Sequence, residues 1–529
     1  MKFAAGLALA LATGAGAHAA PAGFDALFSR FTPQTPGCAI GVESAGAAQM
    51  FRGYGSADLE HAVPVTPDTV FEAGSVSKQF TAASILLLAG EGKLALSDDI
   101  RKYLPEMPAY ERPITIDMLL SHTSGLRDWG DVMSLAGWPR TTRVYANAET
   151  LQIAARQRAL NYAPGEAYSY TNTGYNLAAI IVGRVSGQSL ADFTRDRLFQ
   201  PLGMTHTAWR DDFRRIVPGR AVAYEARKGG GFEQQMPFEN TYGHGGLLTT
   251  VGDLLVWNDA LTNGKLGPKV TAQLQERATL TGGRKIAYAR GLFVQTWRGE
   301  AEVAHSGSTA GYRAWLGRLP ARGLSVALLC NEGDVNPTEL AHQVVDLYLP
   351  SAPAAPPPAA TPAADLDALP GLYVDERTGG VLKVAARRGR LGATGVGWLT
   401  PDAAGGYAGR GSTFAFSTGG VLRHTPDGET IGYRRVTPVT PTADELAALV
   451  GTYASDEAGA VLTAELRDGK LVLVHPDRPA EPVVAEPLYR DAFRGTGALI
   501  RVIRGADGQV AALRVTGGRI YAMDFVRQP

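Results

Sequence analysis

The chain has 529 residues, and 51 Lys and Arg are balanced by 51 Asp and Glu, so its formal net charge is zero. That length is enough for three to four ordinary domains, or fewer large ones, and 45% apolar residues suffice for a large core. Charge balance argues against nucleic acid or an anionic membrane surface as partner, and two cysteines are too few for a zinc site or a disulfide scaffold.

In the N-terminal stretch MKFAAGLALALATGAGAHAA, one lysine precedes a short apolar run, and Ala17, His18 and Ala19 offer a cleavage site. This predicts a signal peptide over residues 1–19, too short to span a bilayer. The mature chain is therefore expected in the periplasm or secreted, without a membrane span. Pro36 to Leu59 reads as a β-hairpin around the small residues Ala45, Gly46 and Ala47. Cys38 lies in this hairpin and Cys330 in a later strand-like run; they either pair in an oxidising compartment or remain two buried thiols.

Next comes AGSVSKQFTAASILLLAGEGKL, Ala73 to Leu94, which reads as a buried helix. It contains the only Ser-x-x-Lys of the chain, Ser75 and Lys78. Residues three apart share a helix face, so a hydroxyl and an amine are held together beside the positive end of the helix dipole. Taken alone, the motif is also explained by a capping serine and a solvated lysine.

Further helices are expected around Ile114–Ser121, Ala148–Ala159, Tyr175–Val185, Ser189–Met204 and Asp253–Thr262. From Gly291 the pattern turns to strands, GLFVQTW, EVAHSGS, GYRAWLGRLP and LSVALLCNE, and ELAHQVVDLYL closes as a helix. Strands from both ends around a helical middle predict an α+β domain with an antiparallel sheet over residues 25–349. A Pro/Ala linker follows at 350–365. Beyond it, LPGLYVDERTGGVLKV and LVGTYASDEAGAVLTA repeat one opening, predicting two small antiparallel β-barrels over 366–440 and 444–529.

A serine nucleophile needs a base and an oxyanion hole. The chain offers no Gly-x-Ser-x-Gly elbow and no His-Glu-x-x-His, which disfavours an α/β-hydrolase and a zinc protease. Tyr-x-Asn occurs at Tyr145/Asn147, where Asn147 is explained as a helix cap, and at Tyr170/Asn172, before a buried helix. A phenol near a lysine can have its pKa lowered and then act as base. His-x-Gly occurs at His244/Gly246 and at His305/Gly307, the second between two strands. Gly307 there would let a substrate backbone approach, with the Ser308 and Ser75 N–H groups as oxyanion donors.

Ser75-Val76-Ser77-Lys78, then Tyr170-Thr171-Asn172, then His305-Ser306-Gly307-Ser308, supported by MLLSHTSGL, PGEAYSYTNTGY, GGLLTTVGDLLVW and HSGSTAGYRAWL, resemble the penicillin-recognising serine hydrolases. That family includes class C β-lactamases, D-Ala-D-Ala carboxypeptidases, D-aminopeptidases and related esterases. The resemblance implies that Ser75 is acylated, that Lys78 and Tyr170 relay its proton, and that Asn172 positions Lys78 and the substrate. His305 stands where the β-lactamases usually carry the lysine of Lys-Thr-Gly, and a histidine is mostly neutral at pH 7. His-x-Gly and two trailing barrels are similar to the D-aminopeptidase branch, in which a loop of the last barrel admits a free amino group. The comparable loop here is Pro487 to Gly497, with Asp491 facing the ammonium.

The expected activity is hydrolysis of D-amino-acid amides or short peptides with an N-terminal D-residue, through an acyl-enzyme. A β-lactamase, carboxypeptidase or short-chain esterase, and a non-catalytic binding protein of the same fold, are the alternatives. No cofactor or metal is called for. The expected partners are a small-molecule or short-peptide substrate and, in a homodimer, a second copy of the chain.

Overall fold

The computed structural model describes residues 20–44, 49–140, 142–350, 361–402, 404–425, 429–495 and 497–529. The leader, the Ala45 to Ala47 turn and most of the Pro/Ala linker lie outside the described residues.

Six antiparallel strands form the central sheet: β1 (Cys38–Glu43), β2 (Met50–Tyr54), β3 (Phe293–Trp297), β4 (Glu300–Thr309), β5 (Tyr312–Leu319) and β6 (Leu324–Cys330). Their order is β3-β4-β5-β6-β1-β2, so strands from before and after the helical middle meet where β6 pairs with β1. Cys38 and Cys330 are register partners at that junction, and they form a disulfide. All seven residues of β6 are buried. Leu328 and Val326 pack with Phe24, Phe28 and Val344 on one face, and Ala327 and Leu329 join the main helical core on the other. A strand covered on both faces reads as a continuous apolar run, which is what LSVALLC does.

Helix α1 (Lys78–Gly90) is buried almost all round, with Phe80 packed on Trp257 of helix α3 (Val251–Thr262). It lies beside helix α2 (Asn172–Ser186). Thr171 caps α2 by accepting the Thr173 amide at 3.2 Å, and Gly187 stops it with φ +74°. Because Thr171 supplies the cap, the Asn172 side chain is free for the site.

The second C-terminal repeat closes into an eight-stranded barrel, Gly451 to Arg527. The first forms a nine-stranded sheet whose two edge strands, Gly397–Trp398 and Thr400–Pro401, are separated in the chain only by Leu399, so its edges are drawn together. The closed barrel docks on the catalytic region. One apolar cluster joins Trp129, Val132 and Met133 to Ile520 and Met523. Arg127, almost fully buried, donates to Glu457 of the barrel at 2.8 Å and to Gln157 at 2.9 Å. Asn161 donates to the Arg519 carbonyl at 2.9 Å and accepts the Tyr521 amide at 3.0 Å. Among the described residues, no helix is long and apolar enough to cross a membrane.

Candidate active site

Ser75 sits in a 3₁₀ turn, Gly74–Ser77, that leads into α1, and not on the α-helix itself. The difference tightens the expected pairing, because side chains at i and i+3 eclipse in a 3₁₀ turn. Lys78 Nζ stands 3.0 Å from Ser75 Oγ, 3.0 Å from Asn172 Oδ1 and 2.6 Å from the His244 carbonyl. All three partners are uncharged oxygens. Burial first, then the Arg519 and Arg140 guanidiniums, push the Lys78 amine well below the usual lysine range, and Asp128 opposes them. A neutral amine has two N–H groups, enough for Asn172 and His244, and a lone pair left for the Ser75 proton.

The turn is held against β4 by two glycines. A Cβ on Gly307 would lie 2.0 Å from the Ala73 carbonyl, and one on Gly74, whose φ is +51°, would lie 2.6 Å from the Ser308 amide. Gly307 therefore admits the chain's own backbone, and it lines the cleft as well. Pairing of β3 with β4 ends at Ala304, so His305 to Thr309 keep one open edge, beside the Ser75 turn.

Tyr170 is half-buried over the pair, its ring centroid 4.8 Å from Lys78 Nζ and 4.2 Å from that of His122. Its hydroxyl has no hydrogen-bond partner among the described residues. Burial pushes the phenol above its usual range despite the opposing influence of Ser75 and Arg519. Burial thus moves the two groups in opposite directions, Lys78 down and Tyr170 up, which favours the amine over a phenolate as acceptor of the Ser75 proton.

His305 lies in the same cleft, but its ring nitrogens are taken up by the Tyr288 hydroxyl at 3.1 Å and its neighbour's Ser306 carbonyl at 2.6 Å. Nδ1 must donate to that carbonyl, which leaves Nε2 to accept from Tyr288. Burial, and then Lys78, push the imidazole down to about 3, so it is neutral. Asp491 does not reach the site. It pairs with Arg504 at 2.7 Å and lines a separate small cavity with Pro441 and Glu445. The barrel residue that enters the cleft is Arg519, on the Gly517–Gly518 turn.

Arg519 donates to Asp128 at 3.1 Å and lies over the Tyr170 ring at 5.0 Å. Asp128 also accepts the Asn172 amide at 2.6 Å. Burial pushes the Asp128 carboxyl up, but Arg519, the Asn172 amide and Arg140 outweigh it and hold it below its usual value. The second copies of both sequence motifs support the first. Asn147 accepts the Tyr242 amide at 3.1 Å and donates to its carbonyl at 3.1 Å; Asn176 bonds both Asn147 and His244. Asn147 is thus a strut between loops, not a cap. Ser75, Tyr170, Asn172, His305 and Arg519 line one cleft of about 640 Å³.

A family model described as Beta-lactamase matches residues 24–348. A D-aminopeptidase of Cereibacter sphaeroides is 27% identical over 93% of this chain and 96% of its own length. A D-aminopeptidase of Gluconobacter oxydans is 28% identical over 56% of each. The solved structure of an octameric penicillin-binding protein homologue from Pyrococcus abyssi superposes with a TM-score of 0.54 at 20% identity, covering 93% of this chain and 96% of that one.

Proposed function

We propose a function from one premise: the chain belongs to the Beta-lactamase family, whose model its residues 24–348 match. On our reading it is a serine hydrolase that works through an acyl-enzyme on amides of D-amino acids or short peptides with an N-terminal D-residue. The observation that carries the chemistry is the 3.0 Å contact between Ser75 Oγ and a buried Lys78 whose partners are all uncharged. The substrate class is supported by the D-aminopeptidase of Cereibacter sphaeroides, whose similarity runs through the C-terminal barrels as well as the catalytic region.

Ser75 attacks the carbonyl as Lys78 takes its proton, and the Ser75 and Ser308 N–H groups receive the developing oxyanion. Tyr170 gives its proton to the leaving amine, and the Lys78 ammonium then reprotonates Tyr170, so that both groups start deacylation as they began. Water then repeats the sequence on the acyl-enzyme, and Asn172 holds Lys78 throughout. His305, neutral and bonded to Tyr288, is a wall of the cleft. It supplies no standing cation at the position where the β-lactamases carry lysine, and the similarity to D-aminopeptidases places β-lactam hydrolysis second. The disulfide between Cys38 and Cys330 favours an oxidising compartment, so we place the mature protein in the periplasm or outside the cell.

Hydrolysis of D- against L-alanyl p-nitroanilide, with nitrocefin and p-nitrophenyl butyrate beside them, tests the substrate class. Preference for the D-anilide is expected; equal rates on the two enantiomers would reject it.

A further inference from the structure

Lys78 stands among many ionisable groups, and most of them are neutral or paired elsewhere. Burial pushes the imidazoles of His122, His244 and His305 below their usual range, so none of the three carries charge at neutral pH. It likewise keeps the Tyr170 and Tyr175 phenols protonated. Arg140 is paired with Glu239. The charges left to act on Lys78 are Asp128, which favours its ammonium, and Arg519, which opposes it. Asp131, beside Asp128, is pushed up by burial and then by that carboxylate.

Asp128 lies directly behind the residue that holds the base. Its carboxylate accepts the Asn172 amide at 2.6 Å and the Gly130 amide at 3.0 Å, and Asn172 Oδ1 accepts from Lys78 Nζ at 3.0 Å. With 2% of its side chain exposed, Asp128 is beyond compensation by ions in solution. The compensating charge comes from far along the chain. Arg519, 391 residues on, donates Nη1 to Asp128 at 3.1 Å, and among the described residues lining the cleft it alone belongs to the closed barrel. Its backbone is fixed: the Arg519 amide donates to Asp131 at 2.7 Å, and a Cβ on Gly518 would lie 2.6 Å from the same carboxylate. Without Arg519, and with Arg140 held by Glu239, the cation left to neutralise Asp128 is the Lys78 ammonium, and the base would be stored with its proton on.

We propose that Arg519 is a positioning residue that acts through Asp128: it neutralises this buried carboxylate from the barrel side and so leaves Lys78 as a free amine bonded to Ser75 and Asn172. Docking of the closed barrel then completes the base, and the catalytic region alone would hold Lys78 as an ammonium. The proposal rests on the Ser75 hydrolase reading for the meaning of that amine.

NMR of the full chain tests it without turnover. Lysine is labelled with carbon-13 at Cε, the Lys78 signal is assigned by its absence from Lys78→Met, and its chemical shift is followed as pH is varied. Arg519→Gln should raise the Lys78 midpoint by about one pH unit or more, the effect of one uncompensated charge nearby. Asp128→Asn/Arg519→Gln should return it to within about half a unit of the wild type, and Arg519→Lys, which keeps the charge, should stay as close. An unchanged midpoint in Arg519→Gln would overturn the proposal. So would a rise that Asp128→Asn does not reverse, since Arg519 would then only keep water from Lys78. Fluorophosphonate labelling of the wild-type protein reports the hydrolase reading separately, so either can fail alone.

Discussion

Gly307 on the sheet and Gly74 beside the nucleophile are in mutual close approach: neither position has room for a methyl group, because each faces the other segment's backbone. This contact, more than any side-chain bond, sets where Ser75 stands against the open edge of β4. Gly307→Ala must push the turn away, since the obstructing atom is a backbone carbonyl and not a flexible side chain. A displacement of about 1 Å costs on the order of 10²-fold in rate. We expect kcat/KM of Gly307→Ala to fall by about that factor, with slower fluorophosphonate labelling, as measured against the wild type. Unchanged kinetics would show that the turn is not positioned by this strand.

Lys78 is the base in this account. Lys78→Met keeps an unbranched side chain, one atom shorter, and removes the amine. Loss of a positioned base costs about 10²–10⁴-fold, and kcat/KM should drop within that range for anilide and ester alike. In the wild type, activity should rise with pH as Lys78 loses its proton, because only the free amine can accept from Ser75. A Lys78→Met protein of near-normal activity would assign the base elsewhere.

Tyr170 is assigned to the leaving group. Tyr170→Phe should therefore cost about 10²–10⁴-fold on an anilide or amide, whose amine leaves only with a proton, and about tenfold or less on a p-nitrophenyl ester, whose phenolate leaves unaided. Comparing kcat/KM on the two substrates checks this; equal losses would return Tyr170 to the role of base.

Much of this site was legible in the order of its motifs. Ser75, Lys78, Tyr170, Asn172 and His305 meet as expected, because each lies at a helix start or on a strand whose pattern is locally plain. The duplicate motifs were visible too, but Asn147 read as a helix cap and His244 as a second His-x-Gly without a role, when both support the site. Arg519 had no local signal. Its Gly517-Gly518-Arg519 turn resembles other hairpin turns, and its place in the cleft depends on barrel docking across Arg127, Asn161 and Asp131. Asp491 failed for the same reason: which barrel loop faces Ser75 is decided by the docking angle, not by either sequence. The direction of the pKa shifts was also hidden, since burial, absent from sequence, raises Tyr170 and lowers Lys78 together.

The neutral state of His305 has a consequence for stability. Its pKa falls from an ordinary 6.5 to about 3 in the folded protein, so between those values the unfolded chain binds more protons. The contribution is complete above pH 6.5 and is lost as pH falls toward 3. His305→Gln should therefore lose less thermal stability than the wild type between pH 7.5 and pH 4.5, as followed by calorimetry. A parallel decline in the two proteins would mean that this imidazole takes up its proton without unfolding.

The central claim is that Ser75 becomes covalently acylated with Lys78 beside it. Intact-protein mass spectrometry after treatment with a fluorophosphonate, followed by peptide mapping, tests it most directly. A single adduct on Ser75, absent in Ser75→Ala and slowed in Lys78→Met, is the expected result; an adduct on another residue, or none on the folded wild-type protein, would contradict it.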